Sequence, residues 1–346
     1  VEIRRYIEGD EERIISLAER VFDLRMSRNF WSWKFQGSPF GRSSIVVAED
    51  SGEIVGHLGA IRLDVRIDGS TFPAFQGLDA MVAPEHRGKG LLRELENRMD
   101  EIHLEKGAAL AFGFANRDSG RLLERYGTKQ RLGEIESRTK VTNHPRFLVH
   151  RVRAKLLGVG KRRRPGQTPA LPAFRTVKAG DITMEETSRF GREADDLCHS
   201  SCPVGRVMPA KSSEYLNWRY LDHPVNGYKP LLVRNRGELT GLLVMGILEF
   251  PFRKAIIADC LFRNDDLGIL KFALDRAVSY IRGAGLESLT AWMPWESSPG
   301  EILGASGFKK RGSEVYLMAT VFDKSLRDVI LKKENWYYTF GDSDVA

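Results

Sequence analysis

Apolar residues fall at helical spacing over 11–22, where Ile14, Leu17, Ala18, Val21 and Phe22 share one side and Asp10 stands at the N-cap position. The pattern then changes to strand-like runs at 44–49 and 54–65. The Asp68-Gly69 pair signals a hairpin into a long strand over 72–82. A helix is predicted over 90–105, with Leu91, Leu92, Leu95, Met99 and Ile102 on one side. An apolar strand over 108–115 and a short helix over 118–126 follow. The second half repeats the theme: helix 185–198, strands 230–235, 239–248 and 254–262, helix 267–283, strand 287–293 and helix 299–306. Strand hairpins with helices inserted late predict a mixed α/β fold, with helices and a mixed sheet in each half.

The two halves also resemble each other. At a constant offset of 185, residues 33–56 align with 218–241 without a gap: Trp33 meets Trp218, Pro39 meets Pro224, Gly52-Glu53 meets Gly237-Glu238, and Gly56 meets Gly241. Lys34 and Phe35 meet Arg219 and Tyr220. An internal duplication is the expected origin. Between the halves, residues 146–164 hold eight Lys or Arg and no acid, and Pro165, Pro169 and Pro172 follow. That composition reads as a linker. Three segments are therefore expected: a first domain over 1–145, a linker over 146–173, and a second domain over 174–346.

Composition narrows the class. The 346 residues are 42% hydrophobic and 29% charged, which suits two globular cores and excludes collagen-like, disordered or disulfide-stapled chains. No run approaches 18 apolar residues, so no transmembrane helix is expected. The first residues have no apolar stretch followed by a cleavage site, and the three cysteines are few and odd in number, so a reduced, cytoplasmic setting is expected. The net charge of +7 becomes −1 once residues 146–164 are set aside, so nucleic acid is not an expected partner. Within the basic stretch, Phe147, Leu148, Val152, Leu156 and Leu157 lie among cations. Peripheral contact of 147–164 with an anionic membrane is compatible with this pattern. A solvated linker helix packed on the domains is the preferred reading. Cys198 and Cys202 flank His199 without a second ligand pair, so no metal is expected.

The segment 77–99, GLDAMVAPEHRGKGLLRELENRM, carries the chemistry. A strand ends at Val82, a loop brings Arg87, Gly88, Lys89 and Gly90, and a helix starts at once. Glycines let backbone approach a ligand, and the first N–H groups of a helix lack internal partners. A pyrophosphate suits that geometry, with cations at Arg87 and Lys89. The segment is neither a Walker loop nor a dinucleotide fingerprint. It resembles the acyl-CoA pyrophosphate loop of the GNAT superfamily of N-acetyltransferases, [Q/R]-x-x-G-x-[G/A], read here as Arg87, Gly88, Lys89, Gly90, Leu91 and Leu92. Leu92 departs from the small residue of the pattern, as in the enhanced-intracellular-survival type acetyltransferases, which the segment looks like. Residues 116–127, NRDSGRLLERYG, resemble a second element of the superfamily, in which an asparagine contacts CoA and a tyrosine seven residues on protonates the thiolate. The resemblance implies a CoA contact at Asn116, while Leu123 stands where the tyrosine would be. The second half resembles the same fold without its loop: Asp265 and Asp266 occupy the place of the nest, and Gly307-Phe308 matches the later Gly-Phe of the family. The implied architecture is two tandem GNAT-like domains, the second lacking the pyrophosphate loop.

The resemblance implies acetyl-CoA, or another acyl-CoA, as co-substrate and backbone contacts to it from Met81 and Val82. An amine must lose a proton before it attacks a thioester. Asp79, on the strand before the loop, is the candidate base; Asp259 matches it in the second half, so a shared structural carboxylate is the competing reading. The end of the chain, NWYYTFGDSDVA, places four aromatics before Asp342 and Asp344, as a docked tail would. Either acid is a candidate to meet a cationic amine; a packed aromatic strand with a polar end is the alternative. The expected activity is transfer of an acyl group to a primary amine of a small molecule by direct attack in a ternary complex. A tRNA-dependent aminoacyl transferase with paired GNAT-like domains and an inactive acyl-CoA-binding protein are the competing readings.

Overall fold

The computed structural model describes all residues except 24–25, 144, 146, 150–169, 202–205, 250–252, 264–265, 295–297 and 344–346. Most of the basic segment and linker thus lies outside the described residues. The first half forms β1 (Glu2–Arg5), α1 (Glu11–Phe22), α2 (Arg28–Gln36), β2 (Ser44–Asp50), β3 (Glu53–Ile67), β4 (Ser70–Val82), α3 (Leu91–Glu105), β5 (Leu110–Asn116), α4 (Arg117–Tyr126), β6 (Gln130–Glu134) and β7 (Ser137–Val141). Strands β8 (Val177–Ala179), β9 (Ile182–Glu186), β10 (Val207–Pro209), β11 (Lys229–Asn235), β12 (Glu238–Leu248), β13 (Lys254–Phe262), β14 (Ser288–Trp292), β15 (Lys309–Arg311) and β16 (Val315–Val321) follow. Helices over Arg192–Ser200, Leu267–Gly283 and Ser298–Ala305 lie among them.

The chain divides into two units that are not its two halves. Unit 1 joins Val1–Glu134 to Glu314–Lys333, and unit 2 takes residues from Ile135 to Ser313 and the tail from Glu334. Seven strands of the first sheet run β1-β2-β3-β4-β5-β16-β6; the second sheet runs β15-β7-β14-β13-β12-β11-β9-β8. β16 thus pairs antiparallel with β5 in unit 1, and β7 pairs antiparallel with β14 in unit 2. Each sheet takes the same inner strand from the other half of the sequence. The expected boundary at 145–173 does not describe this arrangement, because strand pairing over nearly two hundred residues leaves no local trace.

The duplication is visible in the backbone. β2 and β3 begin at Ser44 and Glu53; β11 and β12 begin 185 residues later, at Lys229 and Glu238. Both hairpins turn through two residues of positive φ, Ser51-Gly52 at 52° and 86° and Arg236-Gly237 at 52° and 84°. That twist matches the flanking strands. The predicted helix 185–198 is a correction: 182–186 is strand β9, paired with β11, and the helix starts at Arg192. Five residues of strand pattern do not distinguish themselves from a helix start until β11 supplies the partner. Asp10 precedes α1 as expected, yet its side chain makes no cap; it is fully buried and accepts from Arg4 and from the Ile7 N–H.

Candidate functional site

In unit 1, β4 and β5 are parallel neighbours only from Ala74–Gln76 against Leu110–Phe112. At the end of this pairing the backbones are close: a Cβ on Gly113 would lie 3.1 Å from the Gly77 carbonyl oxygen. Beyond it the ladder between the two strands stops. On the other side of β4 the ladder to β3 is broken by a bulge. His57 faces Met81 and Gly59 faces Leu78, so Asp79 and Ala80 together oppose Leu58 alone. Asp79 has φ of 50°, and Ala80 is exposed between half-buried Asp79 and buried Met81. The bulge lies two residues before Met81–Val82, where backbone contacts to the acyl-CoA were expected, and Met81 itself is buried.

The chain leaves β4 through a short turn at Pro84–His86 and enters α3 through Arg87–Gly90. Gly88 and Gly90 take φ of 77° and 82°, where a Cβ is disfavoured. Gly90 caps α3 without a side chain, and among the described residues no hydrogen bond takes the backbone N–H groups of residues 88–92. Arg87 is tied to the strand end by Nε donating to the Val82 carbonyl at 3.0 Å, while Arg87 and Lys89 remain exposed. Leu91 turns into the core and Leu92 is half-buried. Five consecutive free donors at a helix start, with two cations beside them, form an anion cradle that fits a diphosphate.

Asp79 carries the charge nearest the bulge. Both of its oxygens accept from Lys34 Nζ on α2, at 2.9 and 2.8 Å. The Lys34 and Asp79 side chains are 8% and 10% exposed, so the pair is largely desolvated without being sealed. Lys34 also lies over the rings of Phe30 and Phe35, at 5.8 and 5.7 Å. Lys34 was not singled out in the sequence. Its match with Arg219 in the duplication was the signal that a cation belongs there.

Asn116 differs from the CoA contact expected of it. Its Oδ1 caps α4, accepting from the N–H groups of Asp118 and Ser119 at 3.1 and 2.9 Å. That oxygen is engaged in the helix start, and the amide nitrogen is what remains for a ligand. Leu123 is buried against the sheet, so no hydroxyl stands at that position.

The inner face of α3 holds an unusual set of polar groups. Glu96 and Lys129 form a buried ion pair, and His103 is 1% exposed, stacked on Phe75 with centroids 4.3 Å apart. Burial, then the Lys129 and Lys106 charges, lowers the His103 pKa to about 3. Burial raises the Asp100 carboxyl to about 6. The signs oppose each other. As pH falls below about 6.5, unfolded chains protonate His103 while the native state resists until about pH 3, so stability is lost on acidification. Asp100 gains a proton in the native state first, from about pH 6 down to its ordinary 3.8, which adds stability over that window. Asp100→Asn removes this offset. Urea midpoints of that variant are expected to fall steadily from about pH 6 downward, where the wild-type midpoint stays flat across the same range.

Unit 2 repeats the strand arrangement with different occupants. β13 and β14 are parallel only over Ala255–Ile257 against Leu289–Ala291, and β13 carries its own bulge beside Asp259. There Lys211, fully buried, donates to Asp259 at 2.7 Å, Asp342 at 3.1 Å and Thr339 at 2.9 Å. Tyr220 donates to the other Asp259 oxygen at 2.8 Å. Burial opposes the Lys211 charge, but Asp259 and Asp342 outweigh it and its pKa is raised; burial pushes the Asp342 carboxyl up. The tail is docked as well by Arg219, which donates to the carbonyls of Gly341 and Ser343 at 3.0 and 2.7 Å. Presentation of Asp342 to an acceptor amine is therefore corrected: it is 1% exposed and accepts from Lys211 and from Thr339. Asp344 lies outside the described residues, as do Asp265 and Cys202; Asp266 precedes the helix at Leu267 without capping it, and Cys198 is buried. Among the described residues, no group of His, Cys, Asp and Glu is placed to hold a metal, and no helix is long and apolar enough to cross a membrane.

A parallel strand pair that parts beside a bulge, with an anion cradle at the next helix, defines a class. Residues 2–130 match the family model described as Acetyltransferase (GNAT) domain. Residues 2–130 are accordingly a GNAT acetyltransferase domain, the part of the chain that holds both the bulge and the cradle. No curated protein matches the sequence. Among solved structures, it is similar to a GCN5-related N-acetyltransferase from Anabaena variabilis, with a TM-score of 0.64 and 10% identity over 92% of this chain and 72% of that one. It is similar to Eis1 from Mycobacterium abscessus, with a TM-score of 0.59 and 13% identity over 96% and 76%. It is also similar to Saccharomyces cerevisiae N-myristoyltransferase with bound myristoyl-CoA, with a TM-score of 0.56 and 13% identity over 93% and 82%. At these identities the likeness is one of fold, and it spans both units.

Proposed function

We propose that the chain is an acyl-CoA-dependent N-acyltransferase, with acetyl-CoA as the simplest donor, acting on a primary amine of a small molecule in a ternary complex. The cradle at residues 88–92, beside a parallel strand pair that parts at Gly77 and Gly113, carries this reading. Arg87, Lys89 and the free N–H groups would hold the diphosphate of CoA. The separated edges of β4 and β5 would receive its pantetheine arm, as the strands of a sheet receive a further strand. The bound myristoyl-CoA of the yeast relative supports an acyl-CoA ligand for this fold.

Asp79 is the group assigned to the acceptor. An amine that arrives as ammonium gives one proton to the Asp79 carboxylate and becomes nucleophilic. Its nitrogen bonds to the acyl carbon as the C–S bond breaks. The nitrogen then passes its surplus proton through water to the thiolate, CoA leaves as the thiol, and Asp79 returns its own proton to solvent. Holding both reactants against β4 supplies much of the acceleration. Leu123 supplies no acid to the sulfur, which favours the second reading, a protein that binds acyl-CoA without turning it over.

One experiment separates the two. The protein is titrated with acetyl-CoA by calorimetry, then assayed for thiol release over a panel of primary amines. Binding with amine-dependent release supports the transferase; binding alone supports the second reading; absence of binding overturns both. Gly90→Val places a β-branched residue at φ of 82°. It is expected to weaken CoA binding about tenfold, from a backbone cost of about 1–2 kcal/mol. Unchanged affinity would remove the cradle from the site.

A further inference from the structure

His57 stands on β3 directly behind the bulge and is fully buried. Its Nδ1 lies 2.8 Å from the Asp79 carbonyl oxygen. A carbonyl only accepts, so Nδ1 carries the hydrogen. Nε2 is then bare, and among the described residues it has no partner. Burial lowers the His57 pKa, which keeps the ring neutral. The ring meets Phe35 edge-on, with centroids 5.8 Å apart. Gly59 makes that seat: a Cβ there would fall 2.5 Å from the Phe35 ring and 3.3 Å from His57.

The bond has a geometric consequence. A trans peptide is planar, with its C=O and N–H pointing in opposite directions. If the Asp79 carbonyl is held toward His57, the N–H of the same peptide, that of Ala80, is held away from it. Asp79 and Ala80 are the two residues left over in the ladder to β3, and Ala80 is exposed. The same residue, Asp79, sends its side chain to Lys34. One bulge thus presents a backbone donor and a carboxylate, and His57 is the side chain that fixes the peptide between them.

We infer that His57 is a positioning residue of the acyl transfer: its Nδ1–H holds the bulge peptide so that the Ala80 N–H is aimed at the acyl oxygen that gains charge. This rests on the acyltransferase reading above. An oxyanion donor acts only when it is already in place as charge develops. Loosening the peptide therefore lowers kcat and leaves the cradle, which lies beyond the end of β4 at residues 88–92, untouched.

The test compares His57→Leu, which fills similar space without a donor, with His57→Asn, whose amide N–H can take the place of Nδ1–H. His57→Leu is expected to lower kcat about tenfold to a hundredfold while the CoA affinity measured by calorimetry stays near wild type. His57→Asn is expected to recover most of that loss at a similar urea midpoint. Equal kcat in both variants, or wild-type kcat in His57→Leu, overturns the inference. If His57→Leu does not fold, histidine labelled with 15N in the wild-type enzyme still decides. The Nδ1-protonated tautomer is expected for His57, and the Nε2-protonated one overturns the inference. Wild-type enzyme inactive toward every amine would count against the acyltransferase reading, and the tautomer measurement would still judge the bond to the bulge.

Discussion

Asp79→Asn is expected to lower kcat by about 10²–10⁴, the usual contribution of a positioned proton acceptor. The acetyl-CoA affinity should stay near wild type, because the cradle at residues 88–92 lies on the helix side of the loop and shares no hydrogen bond with Asp79. The single variant also leaves the Lys34 ammonium without its counter-charge in a site where it is only 8% exposed, so some stability is lost with it. The double variant Lys34→Met with Asp79→Asn separates the two effects. It removes both charges together and is expected to restore the urea midpoint but not the turnover. Full turnover in the double variant would reduce Asp79 to a structural partner of Lys34, the role that its counterpart Asp259 has in unit 2.

The second large effect is on stability. Lys211→Met is expected to destabilise unit 2 by about 3–5 kcal/mol, because Asp259 and Asp342 then remain buried without a cation. Differential scanning calorimetry should show an early transition for that unit. Adding Asp259→Asn and Asp342→Asn to Lys211→Met should return much of the loss, since hydrogen-bonding neutral groups replace unpaired charges. A thermogram for Lys211→Met that overlays the wild type would mean that the tail is not held through this ion cluster. The two predictions concern matching places in the duplicated fold. In unit 1 the acid at the bulge meets a half-open site; in unit 2 it is closed over by Thr339, Phe340 and Asp342 of the chain's own tail.

Much of this was legible along the chain because it depends on neighbours in sequence. The strand 254–262 and the helix 267–283 fell where apolar spacing placed them, and the hairpin turn at Asp68-Gly69 followed from residue types that accept positive φ. The cradle was legible for the same reason: Arg87, Gly88, Lys89 and Gly90 act through backbone that they themselves shape. Asp79 was legible as a polar residue in an apolar strand, but not its partner, 45 residues away on α2. Helix α2 itself carries aromatic residues around Lys34, and its apolar face emerges only against β3. The capping role of Asn116 was open to a local reading, since an asparagine before Asp118 and Ser119 is a helix start as much as a ligand contact.

The remaining features required the chain to be folded. β7 and β16 each enter the sheet built by the opposite half, and nothing within five or seven residues of alternating pattern names the strand beside which they lie. Asp342 looked like an acid offered at a chain end, and packing instead set it against Lys211, 131 residues earlier. The bond between His57 and the Asp79 carbonyl likewise exists only because the bulge brings that carbonyl to the ring. Turn type, helix phase and anion-binding loops arise from local torsions and local charge, so residue order is enough to write them. Which buried charge meets which, and which strand completes which sheet, is decided by the burial of surfaces far apart in the chain, where the cost of an unpaired group selects the partner.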